Sequence, residues 1–265
     1  VNGFRCWKTM SSTAAPIVVG VLILVALWKG VIGFFELPPI LLPAPRQVLA
    51  TAFEERESLV RGTWVTGVAA TVGLFTAVVL GSVVAVAFSL SMAIRKAFFP
   101  YVVFLQTVPI VAIAPLLITW SGYQFRTVVI VTVIVCLFPI VNSVTEGLLA
   151  MQRDLNDLFR LYGASRIQRL LKLQLPTAIP YLVLGTKTSS GLAVIGAIVA
   201  EFFVGNGSNY DGLGTLMTGW QGFQRTDALI AAIFASTMLG LLLFGVVNLL
   251  SATVLRRWTS GDRDR

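Results

Sequence analysis

The residues best equipped for chemistry in this chain sit where the sequence is most apolar. Lys187 is the sole basic residue of Ile179–Val204. A lysine at mid-membrane costs ~2.5–3.5 kcal/mol, so its ammonium needs a partner or a wet cavity. Two readings follow: Lys187 lines a path that favours anions, or it snorkels to the interface from the inner end of the run, near Pro176. Glu201 stands near the other end, before Phe202 and Phe203. It reads as part of an outer gate, as a contact for a partner protein, or as a helix-end carboxylate in water. Gln106, Pro109 and Pro115 fall within Phe98–Trp120. Each proline removes a backbone donor and kinks a helix. In lipid such breaks are tolerated where neighbours or cavity water satisfy the freed carbonyls, so a bent, path-lining helix is expected here. Ser189, Ser190, Gly191 and Gly196 give Ile179–Val204 a small face. Such a face suits close helix packing first and a solute contact, through Ser190, second.

Enzymatic chemistry has little to work with. The chain has no histidine, which removes the usual general base, metal ligand and pH switch. No Cys-x-x-Cys pair or acidic cluster replaces it, so neither catalytic residues nor a metal site are expected. Cys6 precedes the first apolar run and Cys136 lies inside the fourth, which argues against a mutual disulfide. The nearest approach to a phosphate loop, Gly185-Thr-Lys-Thr188, lacks the glycine before lysine and lies in an apolar run. Any ATP and magnesium would be bound by another chain.

The elements that carry these residues are membrane spans. Hydrophobic residues make up 56% of the chain and charged residues 12%, against ~25% charged in a soluble domain. A span needs ~20 mostly apolar residues. Six stretches qualify: Ala14–Phe35, Val65–Met92, Phe98–Trp120, Thr127–Leu149, Ile179–Val204 and Leu229–Val254. The fold class expected is all-α integral membrane, a single domain over 1–265 with six transmembrane helices. The first run follows Arg5 and Lys8 and reads as a signal anchor rather than a cleaved signal peptide. With the N-terminus inside, thirteen Lys and Arg fall in inner segments, Arg95, Lys96, Arg256, Arg257, Arg263 and Arg265 among them. Only Arg46, Arg56, Arg61, Arg126 and Arg225 fall outside. The positive-inside rule therefore places the termini (1–13 and 255–265) and segment 150–176 in the cytoplasm and the connector 37–61 outside. The net charge of +8 is a topology signal, not a nucleic-acid footprint. In the connector, Pro38-Pro39 and Pro43-Ala-Pro45 precede Val48, Leu49, Ala52 and Phe53 at helical spacing. That helix lies on the membrane surface or packs on the spans. The outer segment Gly205–Asp227 joins Gly-Asn-Gly-Ser-Asn to Tyr210, Trp220 and Phe223, with room for a short helix after Gly214.

The inner segment is the most patterned. Leu155, Leu158, Phe159 and Tyr162 fall at i, i+3, i+4 and i+7, one stripe of a short helix. Asp154 and Asp157 suit its first turn. Gly163 can take the left-handed conformation that ends it, before Ala164. Ser165 and Gln168 match a capping box opening a second helix, expected to stop before Pro176. The stripe rests on lipid headgroups or docks in a groove of a partner.

The order of residues through this elbow resembles the E-A-A loop of binding-protein-dependent ABC importer permeases. Asp157, Leu158 and Phe159 stand where that family has Glu-Ala-Ala, Gly163 matches its glycine, and Leu173, Leu175 and Pro176 match its closing apolar-x-Leu-Pro. Asp keeps the charge; Leu-Phe changes the packing. Leu42–Leu49, Thr107–Leu116, Ala200-Glu-Phe-Phe203 and Gly212-Leu-Gly214 resemble the nitrate, sulfonate, taurine and thiamine-precursor branch. The resemblance implies the type I, methionine-permease-like fold and a homodimer in the bacterial inner membrane. It further implies a cytoplasmic ATPase dimer docked on the elbows, an outer solute-binding protein, and alternating access driven by ATP. An ATP-independent secondary transporter is the alternative; it would need inverted repeats, and none is evident. A membrane-embedded enzyme lacks its chemistry.

Overall fold

The computed structural model describes residues 3–205 and 210–259, with side chains over 16–205 and 210–253. Cys6, the charges at both ends and residues 206–209 of the glycine-asparagine run lie outside the described side chains. The chain is helical throughout its described residues: α1 (Gly3–Phe34), α2 (Pro45–Glu54), α3 (Arg56–Leu90), α4 (Met92–Thr107), α5 (Ile110–Ser121), α6 (Phe125–Leu149), α7 (Arg153–Leu161), α8 (Arg166–Val204), α9 (Leu213–Gly222) and α10 (Thr226–Thr259).

Among the described residues, four helices are long and apolar enough to cross a membrane: α3, α6, α8 and Thr226–Thr253 of α10. The α4–α5 pair makes five if counted as one span. Its chain breaks at Val108-Pro109 and bends by 101°. The single kinked span expected over Phe98–Trp120 is thus two helices. Pro115 sits inside α5, whereas Pro109 caps it in extended conformation. The described apolar part of α1, Val18–Phe34, is a shorter helix.

The core forms where α3, α6 and α8 meet. Val128, Val131, Ile140, Ala193 and Ala197 have no exposed surface. Small residues make the approach possible: a Cβ on Gly147 of α6 would stand 2.7 Å from Tyr181 Cβ and 2.9 Å from Ala178 Cα of α8. Without water in lipid to drive burial, such close packing is the main source of cohesion between spans. Outward positions such as Leu22, Phe75, Val83 and Leu249 stay exposed, as a lipid-facing surface requires.

The second elbow helix does not stop before Pro176. A proline lacks its N–H and its ring clashes with the carbonyl four residues back. Here Leu170–Gln174 widen into a π turn, and Leu175 N–H reaches Leu170 O. That shift carries the helix past Pro176, so α8 runs unbroken for 39 residues.

α2 packs on the spans along one face. Val48 and Thr51 are buried, and Thr51 Oγ1 donates to Asp227 Oδ2 at 2.6 Å, while Leu49 and Phe53 face outward. Beside them Arg225 Nη1 bonds Glu55 Oε1 at 2.7 Å, which holds the guanidinium above its usual pKa.

Candidate functional site

α7 and the start of α8 form the expected elbow. Asp154 sits in the first turn of α7 and Asp157 one turn later. The helix ends in a full Schellman motif: Gly163 takes φ +71°, its N–H donates to Arg160 O at 3.0 Å, and Ala164 N–H donates to Phe159 O at 2.9 Å. The capping box follows, with Gln168 N–H donating to Ser165 Oγ at 3.2 Å and Ser165 N–H to Gln168 Oε1 at 2.8 Å. Both helix ends are thus closed by local bonds, which fixes the angle between α7 and α8 without help from the spans.

No residue of α7 is buried. Leu155 and Leu158 are 40% and 46% exposed, Tyr162 81%, and Phe159 is half-buried. An amphipathic helix of this length leaves water only when its stripe finds a partner. Leu155, Asp157, Leu158, Phe159, Tyr162, Gly163 and Ala164 come together here. Pro176 does not; it lies half-buried inside α8.

The candidates in the spans separate into two groups. Gln106 is exposed on the last turn of α4, and Pro109 is exposed at the head of α5. Lys187 lies well inside α8, about 31 Å along the axis from Arg166 at ~1.5 Å per residue. It is half-buried, and its ammonium has no hydrogen bond or ion pair among the described residues. Leu184, Thr188, Gly191 and Ile195 share its side of α8 and are exposed, so this strip is uncovered in one chain. Ser190 is turned away: it is fully buried, and its Oγ donates to Lys187 O at 2.7 Å.

Glu201 is neither a carboxylate in water nor an exposed contact. It is fully buried. Thr66 Oγ1 of α3 lies 2.9 and 3.0 Å from its two oxygens, Gly214 N–H donates to Oε2 at 2.9 Å, and Tyr210 Oη donates to Oε1 at 3.3 Å. Thr66 Oγ1 also accepts from Leu213 N–H at 2.9 Å. Two orphan amides of the first turn of α9 are therefore capped by side chains from α3 and α8. The negative group sits at the positive end of the helix dipole. Gly214 is required by proximity, since a Cβ there would stand 2.6 Å from Glu201 Cβ. Sequence reasoning noted the glutamate and the glycines separately and missed Thr66. Of the three aromatics noted in Gly205–Asp227, Trp220 is buried, Tyr210 is half-buried and Phe223 is exposed.

The fold is a helical membrane core with an amphipathic elbow helix, none of whose residues is buried. Residues 77–258 match the family model described as binding-protein-dependent transport system inner membrane component, and the chain belongs to that family. It is a permease subunit of an ABC importer, a multi-pass inner membrane protein, and not itself an ATPase. Membership implies an ATPase and a binding protein as partners. It is 31% identical over 228 residues to a probable ABC transporter permease protein of Haemophilus influenzae, spanning 86% of this chain and 91% of that one. It is 32% identical over 226 residues to the formylaminopyrimidine transport permease protein ThiX of Halalkalibacterium halodurans, spanning 82% and 86%. In solved structures, its fold is similar to a chain of the inward-facing MetNI methionine ABC transporter, with a TM-score of 0.63 at 18% identity, over 77% of this chain and 98% of that one.

Proposed function

We propose that two copies of this chain, each with six spans and both termini in the cytoplasm, form the membrane core of a bacterial importer. The reading rests above all on α7: a nine-residue helix with an apolar stripe, closed at its C-terminal end by the Gly163 motif and with no buried residue. Each α7 seats its stripe in a groove of one ATPase subunit. Closure of the ATPase dimer pushes α7, and the Gly163 elbow passes the movement to α8. An outer binding protein delivers solute near α2 and α9. Gln106, Pro109 and Lys187 line the path, Ser190 packs behind Lys187, and Glu201 holds the outer end in shape. Lipid covers the remaining faces, and no nucleic acid is involved.

The solute is small. Lys187, with no hydrogen bond or ion pair among the described residues and on an uncovered strip, supports an anion of the sulfonate, taurine or nitrate kind. Similarity to a formylaminopyrimidine permease supports a thiamine precursor instead. The ligand held by the cognate binding protein decides between them.

The docking of α7 is tested by Phe159→Asp, which puts a charge into the stripe. The expected outcome is loss of the ATPase from the purified complex while the permease stays folded. An ATPase that co-purifies at wild-type stoichiometry would show that the stripe faces lipid.

A further inference from the structure

Three arginines meet at the base of the elbow. Arg160 of α7 and Arg166 and Arg169 of α8 line a half-open cavity of about 460 Å³. Its far wall is the α3–α4 turn, including Ser89 and Ser91. Asn156 and Gln174 add two amides, and no carboxylate belongs to the lining. Among the described residues, ion pairs join only Arg61 to Asp211 and Arg225 to Glu55, so none of the three arginines has a counter-charge. Arg169 is already held in place: its Nη1 donates to Asn156 Oδ1 at 3.0 Å, while its Nε is buried without a hydrogen-bond partner. The positive-inside rule explains arginines on this side of the membrane. It does not explain three of them turned into one hollow, where like charges repel.

We infer that this hollow binds a phosphate-class anion, which then ties α7 to the α3–α4 turn. Guanidinium forks match phosphate oxygens in a bidentate way. The Ser91 hydroxyl, which only accepts from Ile94 N–H, and the second N–H of the Gln174 amide can donate to the oxygens that remain. The anion comes either from the headgroup of an acidic phospholipid in the inner leaflet or from free phosphate in the cytoplasm. The inference is independent of the solute transported and adds a control point to the coupling helix.

The test uses the full permease–ATPase complex in nanodiscs, at ionic strength held constant with chloride. In one arm inorganic phosphate is titrated into phosphatidylcholine discs and thermal unfolding is followed. In the other, phosphatidylglycerol is mixed into the discs and the lipid retained is counted by native mass spectrometry. The variants are Arg166→Gln and Arg166→Gln/Arg169→Gln. The Arg166 side chain bonds to nothing among the described residues, so its removal deletes charge and little else. Wild-type complex is expected to show a saturable phosphate response or one phosphatidylglycerol retained per permease copy. Binding should weaken about ten-fold in Arg166→Gln and vanish in the double variant. A phosphate response without retained lipid assigns the free anion; retained lipid without a phosphate response assigns the headgroup. Neither response in wild type, or equal responses in wild type and Arg166→Gln, overturns the site. Should the double variant fail to fold, the single one decides.

Discussion

Gly163→Val isolates the elbow from everything around it. Gly163 holds φ +71°, and a Cβ built there meets no atom within 4 Å. The substitution therefore costs only backbone conformation. An L-residue in the left-handed region costs ~1–2 kcal/mol, and a β-branched one is a true outlier there. Relaxing φ would break the bonds from Gly163 N–H to Arg160 O and from Ala164 N–H to Phe159 O, which set the direction of α7. A penalty of ~1–2 kcal/mol shifts a two-state population by roughly 5–30-fold. In proteoliposomes with ATPase and binding protein, Gly163→Val should lower solute moved per ATP hydrolysed by about that factor. Gly163→Asn, which tolerates the same conformation, should stay close to wild type. Wild-type coupling in the valine variant, or asparagine failing as badly as valine, would refute the claim that the left-handed cap positions α7.

Glu201→Leu removes the acceptor for Gly214 N–H and Thr66 Oγ1. Each buried group left unpaired costs ~1–3 kcal/mol, so Tm should fall and amides at the start of α9 should exchange faster; unchanged exchange would mean the network does not hold α9. Lys187→Ala should reduce uptake of an anionic solute and flatten its salt dependence, and uptake with both unchanged removes Lys187 from the path. Gly147→Val should destabilise by ~1–3 kcal/mol through overpacking against Tyr181 and Ala178. Gly191→Ala, with open space around it, is the neutral control; thermal unfolding that treats the two alike would contradict the close α6–α8 contact.

What could be read from the sequence was what is written in neighbouring residues. The elbow depends on Gly163 and on Ser165 with Gln168, signals within six positions of one another, and its caps formed as the pattern implied. Apolar runs located α3, α6, α8 and α10 because lipid demands internally bonded helices, while the first run is a shorter helix and the third a bent pair. The Glu201 network was out of reach because its partner Thr66 lies 135 positions away, and no periodicity links them. The break at Pro109 was half-legible. Two prolines announced a distortion, but whether a proline bends a helix or ends it depends on what packs around it. Pro115 stays within α5 between the buried Ala114 and Ile118, whereas Pro109 starts a new helix at an exposed position. Pro176 shows the same limit, since nothing in its local sequence announces the π turn that takes the helix past it.

That π turn changes how the sites relate to one another. Had α8 begun after Pro176, the elbow would hang from the spans by a joint, and its motion could be lost there. As one helix of 39 residues, roughly 58 Å at ~1.5 Å per residue, α8 carries the elbow at its first end, Lys187 within it and Glu201 near its last. The π turn, Pro176 and Pro180 are the points at which such a helix can kink, and the rest of it bends gently. On the proposed function, a tilt imposed at Gly163 reaches the Glu201 cap, and through Gly214 α9, to the extent that those points do not absorb it. The bonds that join Thr66, Glu201 and the α9 amides are where such a movement of α8 would meet α3 and α9.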